Sequence, residues 1–238
     1  MAGRARRWYR WILGVVVAVL VLAVAGPLIA FHFIVSPAPP PLALPGVTGT
    51  VSQALPSGVW SAGPGSLAGY RIRQVVIGQH STVTGRTGQV WGSMRISGAT
   101  VNTAVFTVSM TAITGNSKLG GAAVMDTAAY PTARFVLTRP ISLDTVPSGV
   151  VRRYAAAGTL TMHGVTVPVR LTLLAERAAS GIYVLADIPV AFADWHIAFG
   201  GSSWLAGIDS PGTVEVLVHL VQGTGNPSAV PAPGGAHS

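Results

Sequence analysis

Cysteine is absent from the 238 residues, which excludes disulfides, thiolate metal sites and a cysteine nucleophile. The absence leaves the compartment open, because a domain of this size folds without such staples. Charge is also scarce. Asp, Glu, Lys and Arg together make up 9% of the chain, far below the roughly 25% of an ordinary soluble protein. The shortfall points to a membrane segment, to β-structure with an apolar lining, or to both. Helical periodicity is missing as well: between Leu55 and Val221 no stretch carries an amphipathic pattern over three turns. Without crossover helices the strands cannot be mainly parallel.

The net charge of +8 resembles a nucleic-acid signature until it is located. Arg4, Arg6, Arg7 and Arg10 supply half of it before any acid occurs. The remaining basic residues are scattered, and Arg152-Arg153 is their only adjacent pair. Nucleic-acid binders cluster basic residues on one face, often with aromatics between them. Neither feature is present, which argues against nucleic acid as a partner.

From Ile12 to Ala30 there is no charged side chain. About 20 apolar residues suffice to cross a hydrocarbon core of about 30 Å. Arginines precede this run and none follows until Arg71, so the positive-inside rule places the N-terminus in the cytoplasm and the rest outside. A cleaved signal peptide is the competing reading: Ile12–Leu22 has the length of an h-region and Ala23-Val24-Ala25 is a small-x-small site. Apolar residues continuing beyond Ala25 favour an anchor. The expectation is a cytoplasmic basic segment over residues 1–10 and a transmembrane anchor, or uncleaved signal, over 11–35. A protein single-pass in the cell membrane follows, or a secreted one if the signal is cleaved.

Residues 36–54 read as a Pro- and Gly-rich linker holding the domain off the bilayer; its first part, Ser36–Pro45, is a stiff stalk of about 3.1 Å per residue, and the chain from Gly46 on is polar and glycine-bearing. Residues 223–238 read as a disordered tail. The folded unit is expected over 55–222.

Inside that unit the period is two. Leu160 and Met162 alternate with threonines, and Val165, Val167, Val169 and Leu171 continue the pattern beyond His163-Gly164. Ala104, Phe106, Val108 and Met110 share one face, as do Ile188, Val190 and Phe192, and Val214 to Leu220 in steps of two. Such β-branched runs, bounded by Gly, Pro, Asn and Ser, are strands. Seven to nine antiparallel strands make a sandwich or a closed barrel. Asp126 to Tyr130 reads as one short turn capped by Asp126.

Few residues invite chemistry. Asp194 and His196 are two apart and would share a strand face, as legs of a metal site or a base with its orienter; a hydrogen-bonded structural pair is the plainer reading. His163 reads as a turn residue, and His219, out of step with Val218 and Leu220, as facing away from the interior. The Gly-x-Ser-x-Gly elbow of serine hydrolases is not present, and seven spaced acids offer no carboxylate pair. No enzyme activity, cofactor or metal site is expected.

Gly158-Thr-Leu-Thr-Met-His-Gly-Val-Thr-Val-Pro-Val-Arg-Leu171 resembles the "G-x-L-T-x-H/R-G-V-T-x-P-V" hairpin of the YceI-like family, and Ala129-Tyr-Pro-Thr-Ala-Arg-Phe135 is similar to its "Y/F-P-x-x-x-F" segment. Val83–Val90 and Ile188–Ile197 resemble further family segments in the same order. The loop Asn116–Met125 departs, lacking the Arg-Asp pair often found there. The resemblance implies an all-β fold: an extended, lipocalin-like antiparallel β-barrel of about eight strands, here preceded by one N-terminal transmembrane helix. It also implies an apolar pocket for polyisoprenoid chains. The residues expected to line it are Met94, Ala104, Phe106, Val108, Met110, Phe135, Leu160, Met162, Val167, Val169, Leu171, Ile188, Val190 and Phe192. Arg152 and Arg153 are the candidates for a charged head group at the mouth.

The expected function is an anchored, extracytoplasmic protein that sequesters or carries an apolar lipid, isoprenoid in type. The alternative is an envelope interaction protein with a packed barrel; exposed Trp60, Trp91 and Trp204 would favour it.

Overall fold

A computed structural model describes residues 14–23, 25–26, 29, 36–46, 55–76, 79–116, 125–143, 150–197, 206–208 and 211–223. The strands are β1 (Gly58–Ala62), β2 (Leu67–Val76), β3 (Gln79–Thr87), β4 (Val90–Ser97), β5 (Thr100–Ser109), β6 (Thr114–Gly115) and β7 (Thr132–Leu137). They continue with β8 (Ile141–Ser142), β9 (Arg152–Met162), β10 (Val165–Ala178), β11 (Gly181–Val190), β12 (Ala206–Ile208) and β13 (Gly212–Gln222). A 3-10 turn, Phe192–Trp195, follows β11.

Eight strands close into an antiparallel ring in the order β1, β4, β5, β7, β9, β10, β11, β13, with β13 returning to β1. The closing edge is long because β13 carries two partners end to end: Gly212's half pairs with β2 and Gln222's half with β1. β2 in turn pairs with β3, and β3 with β6, so this side of the barrel extends beyond the ring. Closure leaves the eight ring strands without a free edge.

Tight turns dictate this meander. His163 and Gly164 both take the left-handed conformation (φ +48° and +74°) between Met162 and Val165. Positive φ at both central residues is the two-residue hairpin turn whose twist matches the flanking strands. Gly98-Ala99 joins β4 to β5 in the same two-residue span.

The described residues contain no helix long and apolar enough to cross a membrane. The N-terminal helix covers residues 14–23, with helical Ala25, Gly26 and Ile29 beyond it. The expected membrane span over 11–35 is therefore not supported as one long helix, and much of 24–35 lies outside the described residues. Every side chain from Gly14 to Ala23 is exposed. The tail, 224–238, lies outside the described residues too.

The proline-rich segment departs from the free-spacer expectation. Residues 36–46 lie against the barrel wall, where Leu42 is only 8% exposed. The turn at Asp126 is present, but its main-chain carbonyl accepts the amides of Ala129 and Tyr130, and its φ is +42°.

Candidate functional site

The inward-facing rows of the strands enclose a cavity of about 400 Å³, lined almost wholly by apolar side chains. That size falls within the range of small-molecule pockets. Its walls come from alternate residues, as strand geometry requires. They include Val90, Met94 and Ile96 of β4, Ala104, Phe106 and Val108 of β5, Leu171 and Leu173 of β10, and Val214, Val216, Val218 and Leu220 of β13.

Glycines keep the lumen open. Tyr70 lies opposite Gly85 on the neighbouring strand, Phe106 opposite Gly92, and the Phe135 ring lies across Gly158. Phe192 covers Gly212 in the same way. At Gly85, Gly158 and Gly212 an added Cβ would collide with the ring, and at Gly92 with the Val105 carbonyl and the Phe106 main chain. The rings thus lie flat against the wall, where any side chain would push them into the centre.

Among the described residues one end is shut and the other open. At the shut end Met110, Met125, Met162 and Phe192 are buried and line the cavity floor. Beneath them Trp195 is 2% exposed, and its indole N–H donates to the Leu160 carbonyl at 3.1 Å. His163 Nδ1 sits 3.1 Å from the Trp195 carbonyl, and its ring packs on Tyr130. The turn therefore ties the plug to the barrel. At the other end the lining residues Ser57, Gly98, Ala99, Val150 and Arg152 are exposed and form a mouth.

Polar groups on the lining are few. Tyr70 is buried deep in the wall, and burial pushes its hydroxyl up to about 12. It stays a neutral group at any physiological pH. Tyr154, Arg152, Glu176 and Arg177 lie towards the mouth.

Of the expected lining residues, Met94, Ala104, Phe106, Val108, Met110, Phe135, Leu160, Met162, Leu171, Ile188 and Phe192 face the cavity. Val167 and Val169 do not reach it. They are partly buried and pack against the core. Val190, 2% exposed, is likewise packed into the core rather than open to the lumen. Arg152 and Arg153 part company: Arg152 lines the mouth, whereas Arg153, one residue on, points to the opposite face, as neighbours in a strand must. Sequence reasoning missed the contribution of Tyr70, Ile182, Val184 and the β13 row. Their alternation was the available signal.

The candidates for chemistry are dispersed. Asp194 and His196 sit exposed on and after the 3-10 turn, not on a strand face, and no group of three metal-ligating side chains forms among the described residues. His219 faces outward, with Nδ1 2.9 Å from the Pro64 carbonyl and Nε2 3.2 Å from that of Ser180, stacked on Tyr183. Trp60 is buried and Trp91 half-buried; Trp204 lies outside the described residues. A second hollow between Arg139, Arg170 and Asp187 is a wide, solvent-open depression on the outer wall.

Comparison with known proteins places these features. The family model of the YceI-like domain matches residues 64–221. A polyisoprenoid binding domain from Saccharophagus degradans, implicated in plant cell wall breakdown, is similar in structure with a TM-score of 0.54 and 17% identity, covering 70% of this chain and 99% of that one. BcnA of Burkholderia cenocepacia aligns with a TM-score of 0.46 and 14% identity, over 63% of this chain and 94% of its own. No curated protein matches the sequence.

Proposed function

The chain belongs to the YceI-like family, and on that premise we propose that its barrel holds an apolar lipid, isoprenoid in type, to sequester or carry it. The observation that carries this reading is the enclosed, apolar cavity with one mouth. Burial of hydrocarbon contributes about 0.8 kcal/mol per CH₂, so a long chain binds with few polar contacts. A lumen with a neutral tyrosine and no charge at its floor suits such a tail. Arg152, at the mouth, is placed to meet an anionic head group that stays in water. The S. degradans domain described as polyisoprenoid-binding supports the choice of ligand class.

The reading includes attachment to the membrane. A helix whose apolar side chains are exposed all round, as over residues 14–23, is unsatisfied in water and suited to lipid. With four arginines close before it and none after it until Arg71, the positive-inside rule favours a barrel outside the cytoplasm. The packed-barrel alternative, an envelope interaction protein, is disfavoured by the open lumen and by the burial of Trp60.

Organic extraction of the purified full-length protein, followed by mass spectrometry, tests the carrier reading. A polyprenyl-type lipid in near-stoichiometric amount is expected. Protein that remains empty from every membrane source, and takes up no added polyprenol, sinks it.

A further inference from the structure

The outer wall of the barrel carries a feature that the lumen does not explain. Glu215 points outward from β13 yet is 2% exposed, held by Arg71 at 2.5 Å and Arg86 at 2.8 Å. Gly69 stands opposite Glu215 on β2, and Arg86 stands opposite Gly69 on β3. Having no side chain, Gly69 lets the stem of Arg86 lie across it towards Glu215; an added Cβ would meet that stem and the Gly85 carbonyl. Each of the two guanidinium groups also holds a second partner. Arg71 donates to the Pro39 carbonyl at 2.9 Å, and Arg86 to the Pro40 carbonyl at 2.5 Å.

The same segment is held at both ends. Asn116 exchanges hydrogen bonds with Ser36, its backbone carbonyl accepting the Ser36 amide and its side chain donating to the Ser36 carbonyl. The Gly46 amide donates to Glu176 at 3.2 Å. Between them Leu42 is buried. Between its anchor at Asn116, beside β6, and its anchor at Glu176 of β10, the sheet order runs β3, β2, β13 and β11, and Arg86 of β3 and Arg71 of β2 hold the segment on the way. Five gaps of about 4.8 Å make about 24 Å across the strands, which ten residues in an extended proline-rich conformation, spanning about 31 Å, are long enough to cover. Proline supplies carbonyls without N–H groups, acceptors to which two outward-aimed guanidiniums donate.

We infer that this wall is a seat for an extended proline-rich segment, that its occupant is residues 36–46 of the same chain, and that seating sets the reach of the barrel. Seated, the chain between helical Ile29 and the wall is seven residue steps, at most about 25 Å. Released, the chain from Ile29 to Leu55 extends to about 90 Å. The segment is thus a clasp that keeps the barrel close to whatever holds the apolar helix, rather than a spacer that distances it. This inference stands whether or not the lumen binds lipid.

Because the chain has no cysteine, spin labels can be placed without background. Labels on Ala43→Cys and Thr103→Cys, both exposed positions, report the distance by pulsed electron resonance on the full chain in detergent. One narrow distance is expected. Leu42→Asp, which alters the segment and leaves the barrel untouched, should broaden it with circular dichroism unchanged, and Leu42→Met should keep it narrow. A broad distribution with Leu42 intact overturns the inference, as does a narrow one in Leu42→Asp. So does recovery of the same distance when the two labels are on different molecules, which would put a second copy's segment in the seat.

Discussion

Gly158 faces inward on β9, opposite Leu137 of β7, and the Phe135 ring lies over it. Nothing in the local sequence distinguishes this glycine from a strand-weakening one; its role depends on a residue two places from its cross-strand partner. Gly158→Val would drive the ring off the wall. Overpacking of this kind costs about 1–3 kcal/mol, and the displaced ring narrows the lumen. Thermal melting should fall, and uptake of an apolar fluorescent probe should fall further than Tm alone accounts for. Adding Phe135→Ala to the same chain should restore uptake. If uptake is the same in Gly158→Val as in the native protein, the flat-ring account of the open lumen is wrong. Residue-scale parity also explains why Arg152 reaches the mouth and Arg153 does not, a distinction that the adjacent pair in the sequence conceals.

Between elements, the pairing of β11 with β13 sets Asp187 directly opposite Glu215 on the outer face. Burial raises the Asp187 carboxyl above its usual range, the neighbouring Glu215 charge raises it further, and Arg71 lowers it. A carboxyl with a raised folded-state pKa binds its proton more tightly when folded. Its ionisation therefore opposes folding: the penalty is absent below the unfolded pKa and grows as pH rises through the folded one. Asp187→Asn removes that penalty. The variant is expected to melt above the native protein at pH 7, with the gap closing as the pH is lowered towards 4. A constant gap across that range would mean that charge is not its cause. The alternation along each of these strands was legible from residue types. The register that puts two carboxylates side by side was not, since it is set by turn lengths and by ring closure.

For the whole molecule, eight paired strands form a wall with one plugged end and one mouth. A barrel of this strand number either fills itself or leaves room inside; small side chains at Ala104 and Ala186 and flat-lying rings leave this one with a cavity of about 400 Å³. Ala104→Phe with Ala186→Phe should fold, because the added rings enter empty space, and should abolish lipid recovery in organic extracts. Unfolding of the double variant, with each single variant equally damaged, would indicate a packed interior instead.

The sequence by itself determined the period-two strands, their antiparallel pairing, the all-β class and the face of each strand that turns inward, because side-chain alternation is a local property of the backbone. It also carried the family resemblance, through the hairpin around His163-Gly164. Only the tertiary structure decided which inward residues border open space and which, like Val167, Val169 and Val190, pack against their neighbours. It alone seated the proline-rich segment on Arg71, Arg86, Asn116 and Glu176. Volume and long-range contact are sums over strands far apart in the chain, and no local pattern encodes them.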